Sequence, residues 1–334
     1  MKIYESRLKK KPDVTVVTPV CNVEKYLDEC LNSLEHQTLK NIEFVCINDG
    51  STDNSLQILL NHYNRDPRYC IIDKPNSGYG STMNLGFSKA KGEYIGIVES
   101  DDFAEPNMFK KLYSYAHRHR CDLVKCSYFE HSDQGDVPQN PFRDFPKKRV
   151  FNPGELIWVT TVAPIIWCAL YKKSMITENH VRFNETPGAS FQDTSFVFQC
   201  WVSAKRAALI DDCLLHYRVD NSGSSVKSAK KIFAVCDEYA LSEKFLNEKP
   251  ERMTTFGKIM QVNKLGTYKW NYERIDDASK QAFAKKMSEE FTSAKEAGML
   301  DKSMFGEWEW SLLNELIDKP KTFAEHHPDQ IYHS

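Results

Sequence analysis

The 334-residue chain has ten cysteines but no Cys-x-x-Cys pair, and no charge of one sign prevails: 44 Lys and Arg stand against 46 Asp and Glu. Cysteines scattered through apolar runs, such as Cys46, Cys168 and Cys200, act as small hydrophobes. That argues against a disulfide framework or a zinc ribbon and for a reducing compartment. A net charge of -2 creates no whole-protein field for nucleic acid, so no nucleic-acid partner is expected. Long hydrophobic runs are missing too. The longest uncharged stretch, 156–171, is short for a membrane span, is broken by Pro164, and reads as buried core. Residues 1–13 are too charged for a signal peptide. The expected location is cytoplasmic. The basic clusters Arg7-Leu8-Lys9-Lys10-Lys11 and Lys147-Lys148-Arg149 leave a peripheral membrane position open, although most such runs are solvated faces. There is no internal repeat. A G-x-G-x-x-G fingerprint is also lacking: Gly78-Tyr79-Gly80 has no third glycine in register and comes two strands too late for a nicotinamide enzyme. No Gly-rich basic loop follows the first strand, as a nucleotidyltransferase would want.

What the chain does have is an apolar, β-branched run ending in acid, Tyr94-Ile95-Gly96-Ile97-Val98-Glu99-Ser100-Asp101-Asp102. Three carboxylates within four positions repel one another and raise each other's pKa unless a cation sits among them. The end of a buried strand is also where an α/β sheet opens a ligand crevice. The competing role for Asp101 or Asp102 is a cap on the following helix.

The first half alternates strand and helix. Apolar runs predict strands at 14–17, 42–47, 69–72, 94–98 and 123–127. The first should stop at Thr18-Pro19, and Asn22 should cap a helix burying Val23, Leu27, Cys30, Leu31 and Leu34. Gly92 is expected to end the helix through Met83, Phe87 and Ala90. The strand-to-helix junctions at 18–22, 48–53, 76–80 and 99–102 are polar or small and would share one edge of a parallel sheet. Residues 131–153 read as a surface excursion, and 164–171 as extended. A helix should start near Thr194, with Gln192-Asp193 just before it, followed by short strands at 208–210 and 214–218. Residues 221–225 read as a small-residue loop. Past about Val226 helical periodicity takes over, and the tail from Lys319 looks loose.

The ordered set Val17-Thr18-Pro19-Val20-Cys21-Asn22-Val23-Glu24-Lys25-Tyr26-Leu27, Gln37-Thr38, Asn48-Asp49-Gly50-Ser51-Thr52-Asp53, Gly92-Glu93-Tyr94-Ile95 and Ser100-Asp101-Asp102 resembles glycosyltransferase family 2. The match runs from about residue 13 to 225. It implies a GT-A fold: a Rossmann-like, nucleotide-binding mixed sheet flanked by helices. The nucleotide half would be about 13–127, the acceptor half about 128–225, and 226–334 a helical appendage serving oligomerisation or acceptor binding. The implied activity is inverting, metal-dependent transfer of glucose or galactose from a UDP-sugar to a hydroxyl of a glycan, a lipid-linked oligosaccharide or a glycosylated protein. The resemblance further implies roles for single residues. Asp49 would accept from the uracil ring, with Pro19, Val20 and Cys21 lining that pocket and Glu24, Gly78 and Asn84 as further donor contacts. Glu99, Ser100, Asp101 and Asp102 would face the diphosphate, ribose and Mn²⁺ or Mg²⁺. Both aspartates are candidate ligands, with Asp102 favoured. Trp167 would floor the sugar site and Asp193 would be the general base. By residue type, Arg218 and the Ser224-Ser225 loop could close over the diphosphate.

The departures from the family pattern are Cys21 for tyrosine, Glu99 for aspartate, Met83 for arginine and Gln192 for glutamate. They bear on sugar specificity more than on reaction type. Each residue has a structural alternative. Asp193 could cap a helix, Asp49 could form an Asx turn, Trp167 could be core, and His216 could be a metal ligand or simply packed. The rival functional class is a non-catalytic, glycan-binding relative.

Overall fold

The computed structural model describes residues 1–221 and 231–327. The chain divides into two compact units, Met1–Gly223 and Ser224–Ser334.

The first unit is one sheet with helices packed on it. Its strands are β1 (Lys2–Tyr4), β2 (Val14–Val20), β3 (Ile42–Asp49), β4 (Tyr69–Lys74), β5 (Tyr94–Ile97), β6 (Phe103–Ala104), β7 (Leu123–Ser132), β8 (Gly135–Gln139), β9 (Val150–Phe151), β10 (Ala169–Lys172) and β11 (Ala207–Arg218). Its helices are α1 (Glu24–Glu35), α2 (Ser55–Arg65), α3 (Tyr79–Lys89), α4 (Met108–His119), α5 (Lys173–Glu178) and α6 (Gln192–Ser203). The strand order is β1-β4-β3-β2-β5-β10-β7-β11-β6, with β8 paired to β7 and β9 to β11. Strands β2 to β5 run parallel. β10 enters antiparallel between β5 and β7. The sheet is therefore mixed.

Every residue of β2 and β3 is buried, as expected of parallel strands covered on both faces. Buried Glu43 is satisfied by Thr15 Oγ1 at 3.0 Å and Ser6 Oγ at 2.7 Å, both donating to its carboxylate. Helix α1 turns Leu27, Cys30, Leu31 and Leu34 inward at helical spacing. Helix α3 lies close on the sheet: a Cβ at Gly86 would meet Val17 at 2.5 Å and Ile47 at 2.9 Å.

Several local expectations change. Strand β2 continues through Pro19 to Val20, paired to β3 along its length. β5 pairs with it only as far as Val17, so Pro19 sits where one side of the strand is free of a neighbour. Asn22 caps nothing; at φ 52 it accepts from Thr52 N at 2.7 Å, while Asp53 Oδ2 receives the first N–H of α1, that of Glu24, at 3.0 Å. Gly92 lies beyond the end of α3. A Cβ there would meet Thr15 N at 2.5 Å, so its smallness serves contact with β2. The excursion at 131–153 contains a hairpin, β7–β8, and the two expected strands after 207 are one bulged strand, β11. Strand β1, unforeseen, pairs antiparallel with β4.

The second unit holds α7 (Ala234–Asn247), α8 (Pro250–Arg274), α9 (Asp277–Glu296), α10 (Glu307–Asp318) and α11 (Pro320–His326). Proline opens α8 and α11, where its missing N–H costs nothing. Asp276 caps α9 by accepting from Ser279 N at 2.9 Å. Tyr268, Phe283, Met287 and Phe291 form its core, and the Tyr268 hydroxyl donates to Glu290 at 2.6 Å. Helix α11 occupies the start of the tail expected to be loose. Among the described residues, no helix is long and apolar enough to cross a membrane.

Candidate active site

The candidate residues cluster at the C-terminal ends of β2 to β5, where β5 gives way to the acidic turn. Val98 N still donates to Val17 O at 3.2 Å, and Asp102 N closes the turn onto Glu99 O at 3.1 Å. Asp102 is 1% exposed. Its Oδ1 accepts from Arg218 N at 2.9 Å, but its Oδ2 is buried with no hydrogen-bond partner. Burial first, then the charge of Asp101, pushes its carboxyl well above the usual carboxylate range. Glu99 is pushed up to about 8, by burial and then by Asp101 and Asp193, against the hydrogen bond it accepts from Tyr79 Oη at 2.6 Å. Asp101 Oδ2 accepts from Asn221 Nδ2 at 2.8 Å. Ser100 is buried beside them.

Asp193 comes from the other half of the unit. Phe191, held at φ 61, starts α6 without a side-chain cap, which places Asp193 in the first helical turn. Its Oδ1 accepts from Thr194 N at 2.9 Å. Burial raises its carboxyl to about 6. Tyr217, raised to about 12 by burial, also feels the charges of Asp102, Asp101, Asp193 and Glu99. The acidic turn and Asp193, far apart in sequence, are therefore both within electrostatic reach of this one side chain. Tyr217 in turn stacks on Trp167 at 4.9 Å and 9°, and Tyr128 meets Trp167 edge-on at 4.7 Å. Trp167 is thus a packed residue.

At the end of β3 Asp49 is engaged by the chain itself. It pairs with Lys74 and accepts from Ser77 N at 2.8 Å and Gly78 N at 3.1 Å. Gly78 has φ 88, and a Cβ there would crowd Thr186 O and Gly188 N, each at 3.0 Å. Cys21 is exposed, with Asn76 Nδ2 3.5 Å from its sulfur, whereas Pro19 and Val20 are buried in β2. Glu24 is committed to Asn54, accepting from its backbone N at 2.9 Å and its side-chain Nδ2 at 2.7 Å. Asn84 exchanges hydrogen bonds with the Phe183 backbone and donates to Glu185, tying α3 to the loop that leads to α6. Gln192 accepts from Ser190 N at 2.5 Å and donates to Thr186 Oγ1 at 2.9 Å and Gly188 O at 3.1 Å. Only an amide can both donate and accept in this way, which accounts physically for Gln in place of Glu.

Arg218 points into the fold. Its guanidinium meets Glu29 at 2.5 Å and the Asp101 carbonyl at 3.0 Å, over the ring of Tyr26. It acts as a strut behind the acidic turn. Ser224 and Ser225 lie outside the described residues. Sequence reasoning missed Tyr79, Tyr217, Asn221, Glu29 and Lys74. Each touches a candidate residue through a contact between distant segments, and only the Tyr79 position, beside two glycines, carried any signal.

The family model described as "Glycosyl transferase family 2" matches residues 15–178. The putative glycosyltransferase EpsH of Bacillus subtilis is 32% identical over 66% of this chain and 65% of its own length. The chain thus spans less than two thirds of that relative. Glycosyltransferase GlyG of Streptococcus pneumoniae is 31% identical over 64% of this chain and 73% of GlyG. Among solved structures, Staphylococcus aureus TarS 1-349 in complex with UDP superposes with a TM-score of 0.63, covering 94% of this chain and 91% of that one at 20% identity. The same TarS fragment has been solved with UDP-GlcNAc. The likeness of fold extends beyond the segment the family model matches.

Proposed function

The chain belongs to glycosyltransferase family 2 and has the GT-A-type mixed sheet with C-terminal helices; from that premise we propose that residues 1–225 transfer a hexose from a UDP-sugar, with inversion, to a hydroxyl of a glycan, lipid-linked oligosaccharide or glycosylated protein. The observation that carries this is the acidic turn after β5, where Asp102 is buried with one carboxylate oxygen unpartnered beside Glu99 and Asp101, and where the charge of Asp193 reaches Glu99. The TarS complexes support a uridine nucleotide as donor.

A divalent cation fits the acidic turn. The buried, unpartnered Asp102 Oδ2 and the mutual repulsion of three carboxylates are what an oxygen-ligated Mn²⁺ or Mg²⁺ relieves. Asp102 would hold it, with Asp101 beside it. When bound, the ion supplies positive charge against the diphosphate leaving group. The rest falls to this chain's residues. Asp193 accepts the proton of the acceptor hydroxyl as that oxygen attacks the anomeric carbon. Asn221 and Arg218 orient Asp101 and Asp102. Trp167 and Tyr217 offer an apolar wall to the sugar ring. Asp49 shapes the 76–78 loop against which the base would lie, and the exposed Cys21 gives that base a small, non-aromatic neighbour. The helical unit from about 226 would serve self-association or acceptor binding.

The test is UDP release from a panel of sugar nucleotides, with and without Mn²⁺. UDP-glucose, UDP-galactose and UDP-GlcNAc are the expected donors. If every donor stays intact with metal present, slow hydrolysis included, the enzymatic proposal fails and a glycan-binding role takes its place.

A further inference from the structure

A second cluster of metal-type ligands lies outside the acidic turn. His131 on β7 and Asp136 on β8 are direct partners across the hairpin. His216 on β11 pairs with Phe129 of β7 on one side and Phe103 of β6 on the other. One ligand atom from each of His131, Asp136 and His216 falls within 4.8 Å of the other two. Three strands thus bring two imidazoles and a carboxylate together.

The hydrogen bonding of His216 is incomplete in a telling way. Its ring is clamped between Phe103, stacked at 4.3 Å and 9°, and Phe129, at 4.8 Å and 20°. Nε2 lies 3.0 Å from Glu105 Oε1. A carboxylate only accepts, so Nε2 carries the proton in that bond. In the neutral ring Nδ1 is then a bare lone pair. It is buried, makes no hydrogen bond, and lies 3.1 Å from Asp136 Oδ2. His131 Nδ1 approaches the other oxygen of the same carboxylate at 2.7 Å. A buried acceptor facing an acceptor is unfavourable unless a proton or a metal cation stands between them. Metal–nitrogen bonds of about 2.0–2.1 Å would set ligand atoms roughly 3.3 Å apart at a tetrahedral angle; the 3.1 Å separation of His216 and Asp136 is close to that, and the 2.7 Å contact of His131 with Asp136 lengthens when an ion enters. The Glu105 contact matches the habit of metal-bound histidine, whose second nitrogen donates to a carboxylate.

We propose that His131, Asp136 and His216 form a binding site for a zinc-class divalent cation, separate from the acidic turn, with Glu105 orienting His216. Two imidazoles and one carboxylate suit Zn²⁺ or Co²⁺ better than the oxygen-preferring Mg²⁺. The ion fastens the exposed β7–β8 hairpin to β11 and β6. β6 begins one residue after Asp102, so the clamp steadies the strand leaving the acidic turn.

The experiment is a Co²⁺ titration of the full chain after chelator treatment and dialysis, read by visible d–d absorption and by melting temperature. One equivalent should give the band of a nitrogen-ligated, four-coordinate ion, raise the melting temperature, and be displaced by Zn²⁺. His131→Ala and Asp136→Asn, both on the accessible hairpin, should each abolish the band while leaving the far-ultraviolet circular dichroism unchanged. Asp102→Asn should keep it, and Glu105→Gln should weaken Zn²⁺ binding about tenfold. No band in the wild type would overturn the site. A band that survives both hairpin variants, or that disappears in Asp102→Asn alone, would likewise overturn it. None of these readouts depends on sugar transfer, so failure here leaves the proposed activity standing, and the reverse.

Discussion

Asp49 and Asp102 lie at the ends of two strands of the same sheet edge, and the fold treats them in opposite ways. Asp49 has a lysine and two backbone N–H groups on its carboxylate, all from within the chain. Asp102 has one N–H on one oxygen and nothing on the other. Burial is similar, at 5% and 1% exposed, so solvent does not make the difference. A carboxylate whose valences the fold fills is part of the scaffold, and here it shapes the 76–78 loop. A carboxylate left short at the same depth raises the free energy of the protein alone and waits for something the chain does not contain. Asp193 and Glu99 belong with Asp102: both are pushed toward neutrality by burial, and their hydrogen bonds come from neutral donors, Thr194 N and the Tyr79 hydroxyl.

The sharpest way to break this division is to remove charge from each class in turn. Asp193→Asn should lower turnover on the order of 1,000-fold with little change in the Michaelis constant for the donor, measured as initial rates of UDP release. An unchanged rate would move Asp193 to the scaffold class. Asp49→Asn should act on stability instead, because it strands a buried lysine. A loss of about 3 kcal/mol is expected in urea unfolding, and no loss would mean that Lys74 finds water. Asp102→Asn should do the opposite, stabilising the metal-free protein by about 1 kcal/mol while removing metal stimulation of the rate.

A further test is one of pH. Asp193 has its carboxyl raised to about 6 from an unfolded value of 3.8. Between those values the folded state holds more protons than the unfolded one, so this group's contribution falls as pH rises and is level above about 6. The melting-temperature difference between Asp193→Asn and wild type should therefore be absent near pH 4 and reach a plateau above pH 6. A difference that does not vary with pH would assign the raised carboxyl elsewhere.

The alternation of β2, α1, β3, α2, β4, α3 and β5 was legible because each strand is a continuous apolar run and each helix repeats its apolar positions every three to four residues. The acidic turn was legible as a run of like charges with no counter-ion nearby in sequence. Other features left no such trace. Strand β1 is three residues on an edge, too short and too polar to show a period. Pro19 argued for a strand end because nothing in the sequence shows that β5 stops pairing at Val17. The bulge in β11 broke its periodicity into two apparent strands. The roles of Tyr79, Tyr217 and Asn221 depend on long-range approach: Tyr79 lies 20 residues from Glu99, and Asn221 lies 120 from Asp101. The charge of Arg218 points to a phosphate, but Glu29 and the Asp101 carbonyl claim it first.

The most direct measurement of the division between filled and unfilled carboxylates is the melting temperature with and without millimolar Mn²⁺. It should be made in a His131→Ala background so that only the acidic turn is read. Mn²⁺ should raise the melting temperature when Asp102 is present and leave it unmoved in Asp102→Asn, while Asp49→Asn, though less stable, keeps the full Mn²⁺-dependent rise. An equal rise with and without Asp102, or loss of the rise in Asp49→Asn alone, would contradict the account.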